Sequence, residues 1–148
     1  MKHRIYYDNV KYRIKKSKKT LDLIEKAING ELKTSDGLSF IITTDEELLK
    51  INREFLGHDY YTDVIAFGES CSNKVSGEIY ISADTVKRNA LNYKVSFSEE
   101  MFRVMIHGVL HICGYDDHTE KLQSEMKRIE DRWVNEWKKQ IWSSNMIL

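Results

Sequence analysis

Three of the five histidines in the chain lie within twelve residues, in the stretch MIHGVLHICGYDDH from Met105 to His118. His107 and His111 are four residues apart, so a helix would place both imidazoles on one face, one turn apart. Gly114 stands where a helix ends in a left-handed residue, and the turn beyond it would bring a third ligand back. Two imidazoles and one loop ligand make a metal site with an open position for water or substrate. The stretch therefore predicts a catalytic metal centre.

The rest of this helix is strongly apolar, which argues against two isolated polar side chains. The apolar positions around the histidines are Val104, Met105, Ile106, Val109, Leu110 and Ile112. Buried imidazoles need partners, and a shared metal ion would satisfy both of them. Gly108 costs a helix roughly 1 kcal/mol relative to alanine, so it predicts a close approach of another backbone or side chain at that point. The alternative is that the histidines are ordinary polar residues on a helix and its trailing turn.

The spacing is similar to that of metzincin proteases, in which H-E-x-x-H is followed by x-x-G-x-x-H. Here the pattern reads His107-x-x-x-His111-x-x-Gly114-x-x-Asp117. The metzincin glutamate, which is the general base of those proteases, is replaced by Gly108. The pattern therefore disfavours a peptidase of that mechanism and leaves a small metallohydrolase of peptides or metabolites as an alternative.

The string HGVLHICGYDDH, with TDVIAF and GEIYIS upstream of it, resembles the YbeY family of bacterial rRNA maturation factors. The signature of that family is H-G-x-L-H-x-x-G-Y-D-H, and the resemblance runs from about Phe40 to Trp133. It implies an α+β fold and one divalent metal ion, with zinc as the expected ion. It also implies a metal-dependent endoribonuclease that cuts single-stranded RNA in the maturation of small-subunit rRNA. The implied partners are rRNA and the small ribosomal subunit.

The third metal ligand is either Asp117 or His118, because the sequence departs from the family at this point. The family places its last histidine after five intervening residues, and that register falls on Asp117. If Gly114 fixes where the chain reverses, residue 117 points back at the helix and residue 118 points away. His118 is favoured instead if the turn bulges to absorb one extra residue. Imidazole is also a softer ligand than carboxylate and suits zinc better. We expect the ligands to be His107, His111 and Asp117, with His118 as the alternative third ligand.

The candidate catalytic residues are Asp116, Asp63 and Arg53. Either aspartate could handle protons, since general bases are often carboxylates, and Asp63 could instead orient a ligand or cap its strand. The family segment Y-R-x-x-D-x-P-T-D-V carries an arginine where this chain has Leu56. Arg53 lies one helical turn earlier and is the candidate substitute.

The composition indicates one soluble domain over residues 1–148 and excludes a membrane span. The chain is 41% apolar and 31% charged, and its 23 Lys and Arg balance 23 Asp and Glu. A net charge of zero gives nucleic-acid binding no general support, so any basic face must be local. Such a face is indicated by KYRIKKSKK, from Lys11 to Lys19, which is either a solvated surface or a contact for RNA phosphates.

The amino terminus, the absence of a long apolar run and the cysteines predict a cytoplasmic protein. No apolar run approaches the 18 residues of a membrane span, and the amino terminus has no apolar core of a signal peptide. Cys71 and Cys113 are expected to be free thiols, and Cys113 lies two residues past His111, away from the metal face of the helix.

The elements that would position this site form an α+β domain: a small mixed sheet of about four strands, packed with about five helices and including the metzincin-like metal helix. Periodicity predicts strands at Arg4–Tyr7, Leu38–Thr43, Asp63–Phe67 and Gly77–Ser82, with a further one at Val10–Ile14. It predicts helices at Thr20–Asn29, Thr44–Leu56, Ala83–Tyr93, Phe97–Cys113 and Thr119–Trp142. The segment Gly68–Ser76 reads as a flexible connection. Val104, Leu110 and Trp133 should be buried in the core.

A second class of function is an assembly factor that binds rRNA or a ribosomal protein without cutting RNA. In that case the metal would mainly organise the site. Leu56 at the arginine position of the family and the zero net charge both favour this alternative. The sequence does not indicate an oligomeric state.

Overall fold

The computed structural model describes residues 2–146, with side chains described through residue 141. The strands are β1 (Arg4–Tyr7), β2 (Thr34–Thr43), β3 (Val64–Cys71) and β4 (Lys74–Ser82). The helices are α1 (Ser17–Gly30), α2 (Asp45–Ile51), α3 (Ala83–Tyr93), α4 (Phe97–Ile112) and α5 (Glu120–Met146). A π-helical turn, Asn52–Leu56, extends α2 and ends at the left-handed Gly57. No helix of the described residues is long and apolar enough to cross a membrane.

The four strands form one mixed sheet in the order β1-β2-β4-β3. The β1-β2 and β2-β4 pairs are parallel, and β3 pairs antiparallel with β4. The predicted α+β class, with about four strands and five helices, is confirmed. Since α4 packs against β3 and β4 on one side and against α5 on the other, the helix that carries the histidines is central to the fold.

The core is built around α4, as the apolar pattern of that helix predicted. Val104 and Leu110 are 3% and 1% exposed, and Trp133 of α5 is 9% exposed, which confirms the core assignment. Phe102 stacks on Trp137 with 5.9 Å between ring centroids. Ser96 caps the helix by accepting a hydrogen bond from the backbone N–H of Glu99. The site therefore stands on a helix that is held rigidly along its length.

Two predicted segments are wrong. Residues 68–76 are not a flexible connection, because β3 and β4 run through them as a hairpin whose two-residue turn is Ser72-Asn73. Both turn residues have positive φ, 52° and 63°, as a type I′ hairpin turn requires. No strand forms at Val10–Ile14, since the chain leaves the sheet at Asn9, which also has positive φ, and this segment has no strand to pair with.

The close approach predicted at Gly108 is confirmed. A Cβ placed on Gly108 would lie 2.8 Å from Cγ2 of Ile79 and 3.4 Å from Cγ2 of Val64. These two side chains belong to β4 and β3, so the missing Cβ lets α4 settle directly on the sheet. The histidines on either side of Gly108 are thereby held at a fixed height above the strands.

We expect Gly108→Ala to lower the free energy of unfolding by about 1 kcal/mol net, because overpacking costs about 1–3 kcal/mol. That cost exceeds the roughly 1 kcal/mol that alanine gains in a helix. Denaturant unfolding measures the change. In an Ile79→Ala background the same substitution should no longer destabilise the protein, and an equal loss in both backgrounds would rule out the steric explanation.

Candidate metal centre

His107 and His111 lie on the last two turns of α4, and their rings meet edge to face at an angle of 77°. Their Nε2 atoms are 3.0 Å apart, and both side chains are partly exposed. Each ring emerges from an otherwise buried helix at the mouth of a cleft, as the i, i+4 spacing predicted. The two nitrogens therefore converge on one small volume that is open to solvent.

The turn after α4 brings Asp117 back to these rings. Gly114 has φ of 109°, and the backbone N–H of Tyr115 donates to the carbonyl of Leu110, which reverses the chain direction. Oδ2 of Asp117 lies 3.7 Å from Nε2 of His107 and 3.6 Å from Nε2 of His111. One donor atom from each of these three side chains lies within 4.8 Å of the others. Among the described residues, these three side chains form the group that could hold a metal ion.

The structure does not bring His118 or Asp116 into this group. His118 is 84% exposed, and its Nδ1 is 2.5 Å from Oδ1 of Asp116. The same carboxylate oxygen accepts a hydrogen bond from the backbone N–H of His118 at 2.9 Å. Asp116 thus closes a tight turn that directs residue 118 to solvent and residue 117 to the helix. This geometry favours Asp117 as the third ligand, although the ligand set itself stays a prediction.

Glu130 of α5 is hydrogen-bonded to His107 and is not among the site residues that the sequence predicts. Its Oε2 accepts a hydrogen bond from Nδ1 of His107 at 2.7 Å, and the carboxylate is only 8% exposed. A proton held on Nδ1 leaves the lone pair of Nε2 facing Asp117 and His111. Burial opposes the charged imidazole, yet the hydrogen bond and charge of Glu130, together with the charges of Asp63 and Asp117, raise the pKa of His107.

This donor set fits a divalent metal ion. Two imidazole nitrogens and one carboxylate oxygen converge from a rigid helix and its turn, and the His107–Glu130 pair supplies the outer hydrogen bond typical of metal-binding histidines. Three protein donors at a solvent-exposed mouth leave a coordination position open. Cys113 lies outside the group, and burial raises the pKa of its thiol to about 11.

A cleft of about 410 Å³ opens beside the three donors, and Asp63 lies in it with His107, His111 and Asp117. Burial raises the pKa of Asp63, although the nearby charge of His107 opposes the rise. The sequence predicts Asp63 as a site residue, and in the structure Asp63 lines the cleft beside the three donors. The opposite wall includes Asn52, which is buried and donates from Nδ2 to the carbonyl of Tyr60 at 2.9 Å.

Arg53 does not line this cleft. Its guanidinium pairs instead with the exposed carboxylate of Asp59, whereas Leu56, at the arginine position of the family, does line the cleft. The π-helical turn rotates Arg53 away from the wall that Leu56 occupies. The α-helical spacing that predicts Arg53 at the site does not include this rotation.

A second cavity of about 490 Å³ lies on the other side of His107 and Asp117, between α4 and α5. Glu100 lines it, and burial raises the pKa of this carboxyl from its usual 4.5 to about 7, against the favourable charge of Arg103. The nearby charges of Asp63, Glu130 and Glu99 add to the rise. The metal centre therefore stands between two cavities of different character.

We expect Glu130→Ala to weaken metal affinity by roughly 10- to 100-fold, the usual cost of losing such an outer-sphere partner. Glu130→Gln keeps an oxygen that can accept from Nδ1 of His107 and should lose much less. Competition with a chelating dye measures both affinities. Equal losses in the two variants would show that Glu130 does not act through this hydrogen bond.

We expect the free energy of unfolding to fall as the pH rises from about 4.5 to 7, because Glu100 ionises over this range. The folded protein holds the proton of the Glu100 carboxyl more tightly than the unfolded chain does. The contribution of this proton to folding stability is therefore complete at low pH and is lost as the carboxyl ionises. A shift of this size corresponds to roughly 3 kcal/mol. Glu100→Gln should therefore gain stability over the wild type at pH 8 and much less at pH 5. Denaturant unfolding at both pH values tests this, and an equal difference at the two would contradict it.

Comparisons with known proteins agree with the geometry. The family model described as Endoribonuclease YbeY matches residues 5–138. A protein of that name from Christiangramia forsetii is 48% identical over 111 residues, which cover 75% of this chain and 78% of the relative. Another from Flavobacterium psychrophilum is 39% identical and covers 82% of this chain and 87% of the relative.

A solution structure of a Thermotoga maritima protein has the same fold. It superposes with a TM-score of 0.66 at 30% identity and covers 97% of this chain and 93% of the other. The family match spans the sheet, the metal helix and most of α5, so it includes every residue assigned to the centre. The chain belongs to the endoribonuclease YbeY family.

Proposed function

We propose that this chain cuts single-stranded RNA by metal-assisted hydrolysis and acts in the maturation of small-subunit rRNA. The enzyme class follows from the family: the chain is an endoribonuclease, a hydrolase that acts on RNA. The observation that carries the proposed chemistry is the convergence of His107, His111 and Asp117 beside an open cleft. A purely structural assembly factor and a peptide hydrolase are not favoured, since the relatives are named as nucleases.

The ion that we propose is zinc, held by His107, His111 and Asp117. Two imidazoles suit zinc, and the carboxylate oxygen would also admit a harder ion such as manganese. A divalent ion bound there supplies Lewis-acid polarisation of a phosphoryl oxygen and activates water. Glu130 keeps the proton on Nδ1 of His107, and Asp117 adds one negative charge to the site.

Asp63 is the residue that we propose to move a proton during the reaction. It lies in the same cleft as the three donors, and its raised pKa keeps a proton exchangeable closer to neutral pH. Asp116 has a supporting role, because its exposed carboxylate shapes the turn that presents Asp117. Arg53 stays the candidate substitute for the arginine of the family, and its exposed guanidinium pairs with Asp59 outside the lining of the cleft.

Substrate and location follow from the same proposal. The partners would be rRNA and the small ribosomal subunit, and the protein would act in the cytoplasm. The cleft wall offers Tyr60 and His58, whose rings stack at 5.1 Å between centroids, as surfaces for unpaired bases. Such stacking favours a strand without secondary structure over a duplex.

The proposal is tested with an end-labelled, single-stranded fragment of small-subunit rRNA and the zinc-loaded protein. We expect discrete cuts by the wild type, none by His107→Ala, and wild-type cutting by His118→Ala. Gel analysis should also show loss of cutting after chelation and recovery after zinc is restored. Cutting that survives His107→Ala would overturn the proposal, and so would hydrolysis of unstructured peptides without any cutting of RNA.

A further inference from the structure

Positive charge is concentrated in one short segment of a chain whose net charge is zero. Six of the 23 Lys and Arg lie between Lys11 and Lys19, and no Asp or Glu lies between Asp8 and Asp22. All six basic side chains of this segment are exposed. Residues 11–16 of this segment form an irregular connection, and residues 17–19 begin α1.

The fold places this segment against the start of α4 and the later part of α5. The backbone N–H of Lys15 donates to Oγ of Ser98 at 3.1 Å, and Tyr12 stacks on Phe97 with 5.3 Å between centroids. A groove of about 830 Å³ results. We call it the basic groove, and it is lined by Tyr12, Lys15, Phe97, Lys138, Lys139 and Ile141.

The basic groove has an apolar floor and a charged rim. Trp137 closes the floor, where it is 5% exposed and donates from Nε1 to Oγ1 of Thr20. Lys15 and Lys139 stand on the rim, and neither is paired with a carboxylate of the described residues. Lys138 is 3.5 Å from Glu99, the acidic residue on this lining. Rings below and cations above are the arrangement that binds single strands through bases and phosphates.

We propose that the basic groove binds single-stranded RNA outside the segment that is cut. This inference rests on the proposed function, since it extends the substrate path of the same enzyme. Ten residues of α4 separate Phe97 from His107, which is about 15 Å along the helix. Glu99 lines both the basic groove and the cavity that reaches His107, so one RNA strand is long enough to extend from the groove to the metal centre. The phosphates would contact Lys15 and Lys139, and a base would stack on Tyr12.

The test measures binding of a labelled 2′-O-methyl RNA, which keeps the bases and phosphates, to the zinc-loaded full chain. We expect Lys15→Gln/Lys139→Gln to raise the dissociation constant severalfold. It should also reduce the slope of log affinity against log salt by about 1.4, the value for two phosphate contacts on a single strand. The matched control is Lys26→Gln/Lys50→Gln, which removes the same charge from exposed positions outside the groove and should bind as the wild type does.

A second pair of variants tests the stacking surface. Tyr12→Phe keeps the ring and loses only the hydroxyl that accepts a hydrogen bond from Nζ of Lys87, so it should bind RNA nearly as the wild type does. Tyr12→Ala removes the ring and should bind roughly tenfold more weakly or worse. Thermal unfolding of both variants shows whether the contact with Phe97 also supports the fold. Equal RNA affinity in the two variants would overturn the stacking role.

Failure of this inference is separable from failure of the proposed function. If the wild type cuts RNA and the groove variants bind RNA like the control, the groove proposal is wrong and the nuclease assignment stands. If no RNA is cut but the groove variants still lose affinity and salt slope, the groove proposal stands alone. Unchanged RNA binding, with lost binding to anionic phosphatidylglycerol vesicles, would assign the groove to a membrane surface and overturn the proposal.

Discussion

His107→Ala and His111→Ala are each expected to release the metal and to abolish RNA cutting. Each variant leaves two donors where three converge. The apparent binding free energy of a four-ligand zinc site, about 10–16 kcal/mol, implies roughly two to three orders of magnitude of affinity per ligand. Cutting should fall at least as far, because the remaining donors hold the ion poorly and no longer fix its position.

The folds of these variants should survive. The buried face of α4 carries the stability of this region, and both histidines are partly exposed. Circular dichroism and metal titration of the same samples separate loss of metal from loss of structure. His58→Ala is the matched control for the metal titration alone, since His58 lines the cleft but is not one of the three donors. Wild-type metal affinity in either ligand variant would refute the site.

Asp117→Ala should release the metal, and His118→Ala should not. The carboxylate of Asp117 is within 3.7 Å of both imidazole nitrogens, whereas the ring of His118 is 84% exposed and engaged with Asp116. We expect a loss of roughly two orders of magnitude or more for the first variant. We expect little change for the second.

Parallel metal titrations measure this pair, and Asp117→Asn adds a finer comparison. The amide keeps one oxygen donor without the charge, so its affinity should lie between those of the wild type and Asp117→Ala. Metal loss in His118→Ala alone would mean that the turn rearranges when the ion binds and that the register argument is wrong.

The metal helix could be predicted from sequence because its signals are local. Four-residue spacing placed His107 and His111 on one face, and Gly114 marked where the chain turns back. Gly108 predicted close packing, and the structure supplies Ile79 as the contact. Each of these inferences needs only helix geometry and the properties of a single residue.

Other features depend on contacts that sequence patterns do not encode. Glu130 lies 23 residues from its partner His107. Its helical neighbours Met126 and Val134 are buried and mark the core face of α5, but helical spacing alone does not identify the side chain that Glu130 contacts. The prediction for Arg53 assumes α-helical spacing. In the π-helical turn the backbone hydrogen bonds span five residues instead of four, which changes the direction of each side chain. The hairpin at Ser72-Asn73 was missed because its polar, exposed strands lack the alternation of a half-buried sheet.

The central claim is that His107, His111 and Asp117 hold one divalent ion at the mouth of the cleft. A crystal structure of the zinc-loaded protein, with data collected at the zinc absorption edge, tests it most directly. We predict one anomalous peak at about 2.0–2.2 Å from Nε2 of each histidine and from a carboxylate oxygen of Asp117. A peak bound by His118 in place of Asp117, or no peak between the two histidines, would contradict the account.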